Sequence, residues 1–170
     1  CVASDVRRTQ SKFHLSIFNK EDKLAKELII NSVESFEEAL PVIRAAQKEF
    51  STFTQEQVDE ICEKTAMAVS KMRIPLAKMA HEETGYGIVV DKITKNQYAS
   101  EHIWNYMRTA KTCGIIDENP AFGTKRIASP KGVIAAITPP TNPTSTTIYK
   151  ILIALKTRNA IIVSPHPNAV

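Results

Sequence analysis

Two apolar runs without alternation, Gly132-Val-Ile-Ala-Ala-Ile-Thr138 and Ala160-Ile-Ile-Val-Ser164, bracket a helical pattern in this 170-residue chain. Alternation would mark a strand with one wet face, whereas unbroken short runs suit strands buried on both faces of a parallel sheet. Between the runs, Ile148, Ile151, Leu152 and Leu155 fall on one helical face. Strand, helix and strand at this spacing form a βαβ unit, whose crossover is almost always right-handed. The fold class is therefore α/β.

The turn between the first run and the helix reads Thr138-Pro-Pro-Thr-Asn-Pro143. Asn142 suits the N-cap and Pro143 the first helical position, with Thr144, Ser145 and Thr146 completing the first turn. At the other end Lys156 and Arg158 complement the helix dipole, and Asn159 suits a left-handed exit. The turn thus lies at the carboxyl end of a parallel strand and runs into a helix N-terminus, where open α/β sheets bind ligands. Its prolines remove donors and lower the entropy cost of one loop shape, so that Thr138, Thr141 and Asn142 project from a stiff frame. The loop is not a GxGxxG pyrophosphate cradle, and a rigid wall against a flat ring or ribose suits it better. The alternative is a well-capped turn that binds nothing.

The region before these runs is helical in pattern. Leu24, Leu28 and Ile29 suggest a first helix, and Ser35-Phe36-Glu37-Glu38 reads as a capping box for a second. Phe36, Leu40, Ile43 and Ala46 share its face, and Pro41 places its start nearer Ala39. Thr54-Gln55-Glu56-Gln57 opens a stronger helix with an apolar stripe of Val58, Ile61, Cys62, Ala68 and Val69, on which Cys62 reads as a buried small hydrophobe. Pro75 and Gly85 fit the first turn and C-cap of the next. A long helix is expected from about Asp91 to Lys111, with Ile93, Tyr98, Trp104 and Met107 in its core face. A short strand is expected at Gly123 to Ala128.

Composition narrows the function classes. The net charge is +4 and the basic residues are scattered, with no Lys/Arg stripe interleaved with aromatics, so nucleic acid is not the expected partner. No run is apolar enough for a membrane span. Cys1, Cys62 and Cys113 form no CxxC pair, and His14, His81, His102 and His166 show no ligand spacing, so no metal site is expected. The cysteine usage suits a reducing, cytoplasmic compartment. Residues 1–20, rich in Arg and Lys and poor in acids, are either a solvated tail or the remnant of an organelle-targeting segment.

Several stretches carry a family resemblance: FTQEQVDEI (53–61), RIPLAKMA (73–80), EETGYGIVVDKITKNQYASEHI (82–103), KTCGII (111–116), and above all TNPTST (141–146) with LKTRNAIIVSPHP (155–167). With these the chain from about Phe36 resembles the start of the aldehyde dehydrogenase fold in its CoA-acylating branch. The likeness is to the N-terminal half of the bifunctional aldehyde–alcohol dehydrogenases. It implies residues 1–34 as an N-terminal extension and 35–170 as part of an aldehyde dehydrogenase domain. Within that domain fall helices (35–112), a connector and strand (113–131) and the first βαβ unit of an incomplete NAD-binding sheet (132–170).

The implied reaction is acetaldehyde, CoA and NAD to acetyl-CoA and NADH, and its reverse, as in fermentative alcohol metabolism. By resemblance Ile137, Thr138, Pro139, Pro140, Thr141 and Asn142 line the nicotinamide end of the cofactor, with Asn142 or Thr141 as oxyanion donor. Ser164 and His166 sit where the family places the adenosine ribose. Ser164 replaces a frequent Lys, which favours NAD over NADP, and His166 is read as a ribose contact or an exposed loop residue. The family's nucleophilic cysteine lies downstream of the matched region, so the chain is expected to be a fragment, inactive alone. The resemblance further implies a homo-oligomer that can extend into a filament in the full-length protein, and iron only where an alcohol dehydrogenase half follows. Two other readings stand beside it: a free-standing acylating aldehyde dehydrogenase, and a non-catalytic assembly module.

Overall fold

A computed structural model describes Ile30 and residues 32–169. The expected helix around Leu24 to Ile29 and the N-terminal tail lie outside those residues. Helices α1 (Val33–Phe50), α2 (Gln55–Lys71), α3 (Arg73–Thr84) and α4 (Val89–Gln97) come first; α4 continues through a π-helical segment (Tyr98–His102) into α5 (Ile103–Met107). Then follow β1 (Gly114–Asn119), β2 (Thr124–Ala128), β3 (Val133–Ile137), α6 (Pro143–Lys156) and β4 (Ala160–Ser164).

The βαβ expectation holds. β3 and β4 pair in parallel with Val133 opposite Ala160 and Ile137 opposite Ser164. Burial on both faces holds for neither strand: in β4 Ala160 to Val163 are only half-buried and Ser164 is exposed, and β3 is still more open. Ala136 is buried, but Ala135 is exposed and Ile137 is 75% exposed, because the sheet formed by the described residues has only two strands. β2 is one residue shorter than expected and pairs antiparallel with β1, a strand the sequence reading did not foresee. Gly, Pro and Asn punctuation hid β1, whose residues are mostly exposed and carry no apolar period.

The helical half holds with local corrections. The N-cap of α1 is Ser32, and its hydroxyl and that of Ser35 exchange hydrogen bonds with each other's backbone N–H at 3.2 and 3.0 Å. Ser35 is therefore the third helical residue rather than the cap, and the helix starts well before Ala39. Pro41 sits inside α1, at an exposed position where the unpaired carbonyl one turn back, on exposed Glu37, can meet water. Thr54 caps α2 as expected, with Gln57 closing the box. On α2 the buried residues are Val58, Cys62, Ala66 and Ser70; Ala68, placed on the stripe from sequence, is exposed. The helical period of 3.6 carries the buried line from Cys62 to Ala66 and then Ser70.

Gly85 ends α3 in the left-handed conformation, at φ 69°. The core joins Ala66, Ala99, Ile148 and Leu152, with Val69, Trp104 and Met107 packed against it. Trp104 and Met107 thus take the expected roles, but Tyr98 is 60% exposed and stacks on His102. The π-helical segment adds a residue to one turn and shifts the inward face onto Ala99 and Ser100. Small residues there let α2 and α6 approach.

The exit of α6 also differs. Arg158, not Asn159, takes the left-handed conformation, at φ 56°. Its guanidinium donates to the carbonyls of Ser51 (2.6 Å) and Ala128 (3.1 Å), contacts that offset the strain of a non-glycine residue there. The Asn159 side-chain oxygen accepts from the N–H groups of Lys131 (2.6 Å) and Gly132 (2.9 Å), fixing the entry to β3. Lys156 lies in the last turn of α6, as expected for a residue complementing the dipole, and is buried there and paired with Asp59.

Candidate functional site

The loop after β3 begins where β4 ends. Thr138 N–H donates to the carbonyl of Ser164 at 3.0 Å, so the carboxyl tips of both parallel strands meet at residue 138. The chain then turns through Pro139 to Asn142 into α6, whose first backbone bond runs from Thr146 N–H to the Asn142 carbonyl at 3.2 Å. Because Pro143 has no N–H, the first donors free at that end belong to the Thr144 and Ser145 backbone.

Thr138 is 1% exposed and its hydroxyl has no partner among the described residues. Asn142 is half-buried and occupies the cap position, but its side chain makes no capping bond. Instead its Oδ1 accepts from Lys95 Nζ at 3.0 Å. Thr141 is exposed, and its carbonyl accepts from Lys92 Nζ at 3.1 Å. Thr144 Oγ1 donates to Asn96 Oδ1 at 2.8 Å, while Asn96 Nδ2 donates to the Arg73 carbonyl at 3.1 Å. One face of α4 therefore grips the loop at three successive points.

Lys92 is 4% exposed. Burial, and secondarily the Lys95 charge, push its ammonium below the usual lysine range. Sequence reasoning missed Lys92, Lys95 and Asn96, since hydropathy assigns polar residues to the solvated face. The available signal was their i, i+3, i+4 spacing, which puts all three on one side of the helix.

Other expected site residues are placed as follows. Ile137 is the exposed tip of β3, and its carbonyl accepts from Lys150 Nζ at 2.5 Å. Pro139 is exposed and Pro140 half-buried. Ser164 is exposed at the tip of β4, and His166 is half-buried with its Nδ1 accepting from the Asn168 N–H at 3.1 Å. The fold thus gathers the tips of both strands and the loop at one edge. Two open grooves among the described residues lie elsewhere. One, at the amino end of β3, is lined by Arg44, Gln47, Lys48, Lys131, Gly132 and Val133. The other is apolar and runs between β3 and α6 past Ala135, Tyr149 and Ile153.

Residues 19–170 match the model of the aldehyde dehydrogenase family. The chain belongs to the aldehyde dehydrogenase family. This aldehyde dehydrogenase chain is 55% identical over 140 residues to the aldehyde-alcohol dehydrogenase of Clostridium acetobutylicum, covering 82% of this chain and 16% of that protein. It is 52% identical over 142 residues to the bifunctional aldehyde-alcohol dehydrogenase of Escherichia coli K12, covering 84% and 16% respectively. The crystal structure of an acetylating aldehyde dehydrogenase from Geobacillus thermoglucosidasius superposes with a TM-score of 0.78 at 45% identity, over 80% of this chain and 30% of that one. The chain thus spans about one sixth of the length of these curated relatives. It corresponds to their aldehyde dehydrogenase part, as the sequence resemblance implied. No helix among the described residues is long and apolar enough to cross a membrane.

Proposed function

We propose that this chain supplies one wall of the cofactor and substrate site in an NAD-dependent, CoA-acylating aldehyde dehydrogenase. The reaction is acetaldehyde, CoA and NAD to acetyl-CoA and NADH, and the reverse. The observation that carries this reading is the Thr138–Ser164 backbone bond, which joins two parallel strand tips and a proline-stiffened loop at a helix N-terminus.

The residues at that edge fit a dinucleotide. Thr138 holds a buried hydroxyl with no partner among the described residues, a group that a ligand hydroxyl or amide could satisfy. Ile137 offers an apolar platform, and Ser164 places no cation where a 2′-phosphate would need one, which suits NAD. NAD, when bound, supplies the hydride acceptor. The chain's own residues bind and orient: Pro139 and Pro140 hold the loop in one shape, Thr141 and Asn142 present polar groups, and His166 closes the ribose end. An amide donor facing the reacting carbonyl oxygen stabilises the charge that develops there, an effect worth about 3 kcal/mol.

The relatives' names support a bifunctional enzyme over a free-standing acylating one, with iron only in an alcohol dehydrogenase half. A homo-oligomer, extended into a filament, is proposed for the longer polypeptide on the family resemblance alone. The test is an assay of the longer polypeptide with acetaldehyde. NADH should form only when CoA is present, and NADPH should form poorly. Equal rates without CoA would overturn the acylating reading.

A further inference from the structure

We infer that Lys95 is a positioning residue that fixes the side-chain amide of Asn142 with its nitrogen, not its oxygen, free to donate. The amide of an asparagine can sit either way round, and its neighbours decide which. A lysine ammonium carries only donors, so the atom 3.0 Å from Lys95 Nζ must be the Asn142 oxygen. The Nδ2 group then points away from α4. A bond from a cation to the amide oxygen also draws electron density from the amide nitrogen and strengthens its N–H groups as donors.

The surrounding contacts exclude a simpler use of Asn142. A helix-capping asparagine would turn its oxygen toward the first-turn N–H groups, and this one makes no such bond. Lys92, buried one turn earlier, holds the neighbouring carbonyl of Thr141. Asn96 fixes Thr144 on the far side. Neither lysine has an ion-pair partner among the described residues, so both cations are directed at the loop. Loop backbone and amide orientation are thereby set from a helix outside the βαβ unit.

The inference rests on the proposed function for what the donor serves: the carbonyl oxygen of the reacting aldehyde or thioester. Its test is a double-mutant cycle in the longer, active polypeptide with Lys95→Met, Lys95→Arg and Asn142→Ala. Losing the donor outright should lower kcat about 100-fold, and losing its orientation about tenfold. The Lys95→Met variant should keep its KM for acetaldehyde and its NADH affinity, read by nucleotide fluorescence, within about twofold of the parent. Lys95→Arg should recover most of the rate. In the Asn142→Ala background, Lys95→Met should cost nothing further.

If Asn142→Ala leaves kcat unchanged, the donor role and the inference fall together. If Asn142→Ala lowers kcat while Lys95→Met does not, or if the two losses multiply, the inference alone is overturned. Weakened NADH binding in Lys95→Met would also overturn it.

Discussion

Lys156, on the last turn of α6, pairs with Asp59 of α2 and lies 5.7 Å from the centre of the Trp104 ring. The lysine side chain is 3% exposed and the aspartate 30%, so the pair is buried at its cationic end. The Arg108 carbonyl accepts a second bond from the ammonium at 3.3 Å, and Gln55 donates to the Asp59 carboxylate at 2.9 Å. Gln55 also accepts from the N–H groups of Thr112 and Cys113, at 2.7 and 3.1 Å. One polar knot thus ties α2, α6 and the connector before β1.

Removing one half of this pair should cost more than its net worth. Asp59→Ala leaves a buried ammonium uncompensated and should destabilise the fold by roughly 3 kcal/mol. Lys156→Met removes the buried charge and keeps the contact with Trp104, and should cost clearly less. Urea unfolding of the two variants checks the order; a larger loss in Lys156→Met would contradict this account.

Cys62 should be chemically silent. Burial pushes its thiol up to about 11, against a smaller opposing effect of the Lys156 charge. A raised thiol stabilises the fold fully below the ordinary thiol range, and that contribution falls as pH climbs toward the folded value. Labelling of the native protein with a thiol-specific disulfide reagent at pH 8 should therefore modify half-buried Cys113 and spare Cys62. Stability should decline between about pH 9 and 11, and rapid native-state labelling of Cys62 would disprove the assignment.

Asn159 holds the entrance to β3 through a single oxygen. Asn159→Ala leaves the Lys131 and Gly132 N–H groups without that acceptor and should cost about 2 kcal/mol. Asn159→Asp keeps an acceptor oxygen and should cost less. Chemical denaturation distinguishes the two, and equal losses would mean that the oxygen is not what matters.

The unpartnered Thr138 hydroxyl separates folding from binding. Thr138→Val removes a buried polar atom that has no partner among the described residues, so stability should hold or rise by up to about 1 kcal/mol. If that hydroxyl meets the dinucleotide, NADH affinity in the longer polypeptide should fall about tenfold, the equivalent of one hydrogen bond. Unchanged affinity would remove Thr138 from the proposed wall.

Local chemistry was legible wherever one residue acts on its own backbone. The Thr54 box, the Gly85 cap, Pro143 at the start of α6 and the two strand runs were all readable, because each depends on neighbours within one turn or one strand. The Ser35 box was misplaced by three residues because Ser32 and Ser35 are both competent caps and hydropathy does not choose between them.

By itself the sequence determined the βαβ unit, its parallel order and the loop at its carboxyl edge, since apolar runs and capping residues carry those choices locally. Only the tertiary structure decided that Lys92, Lys95 and Asn96 reach across to that loop, that Lys156 is buried against Asp59, and that Arg158 turns left-handed at the end of α6. The physical reason is reach and partnership. A polar side chain enters the interior only when a group distant in sequence satisfies it, and no local pattern records where that group will lie.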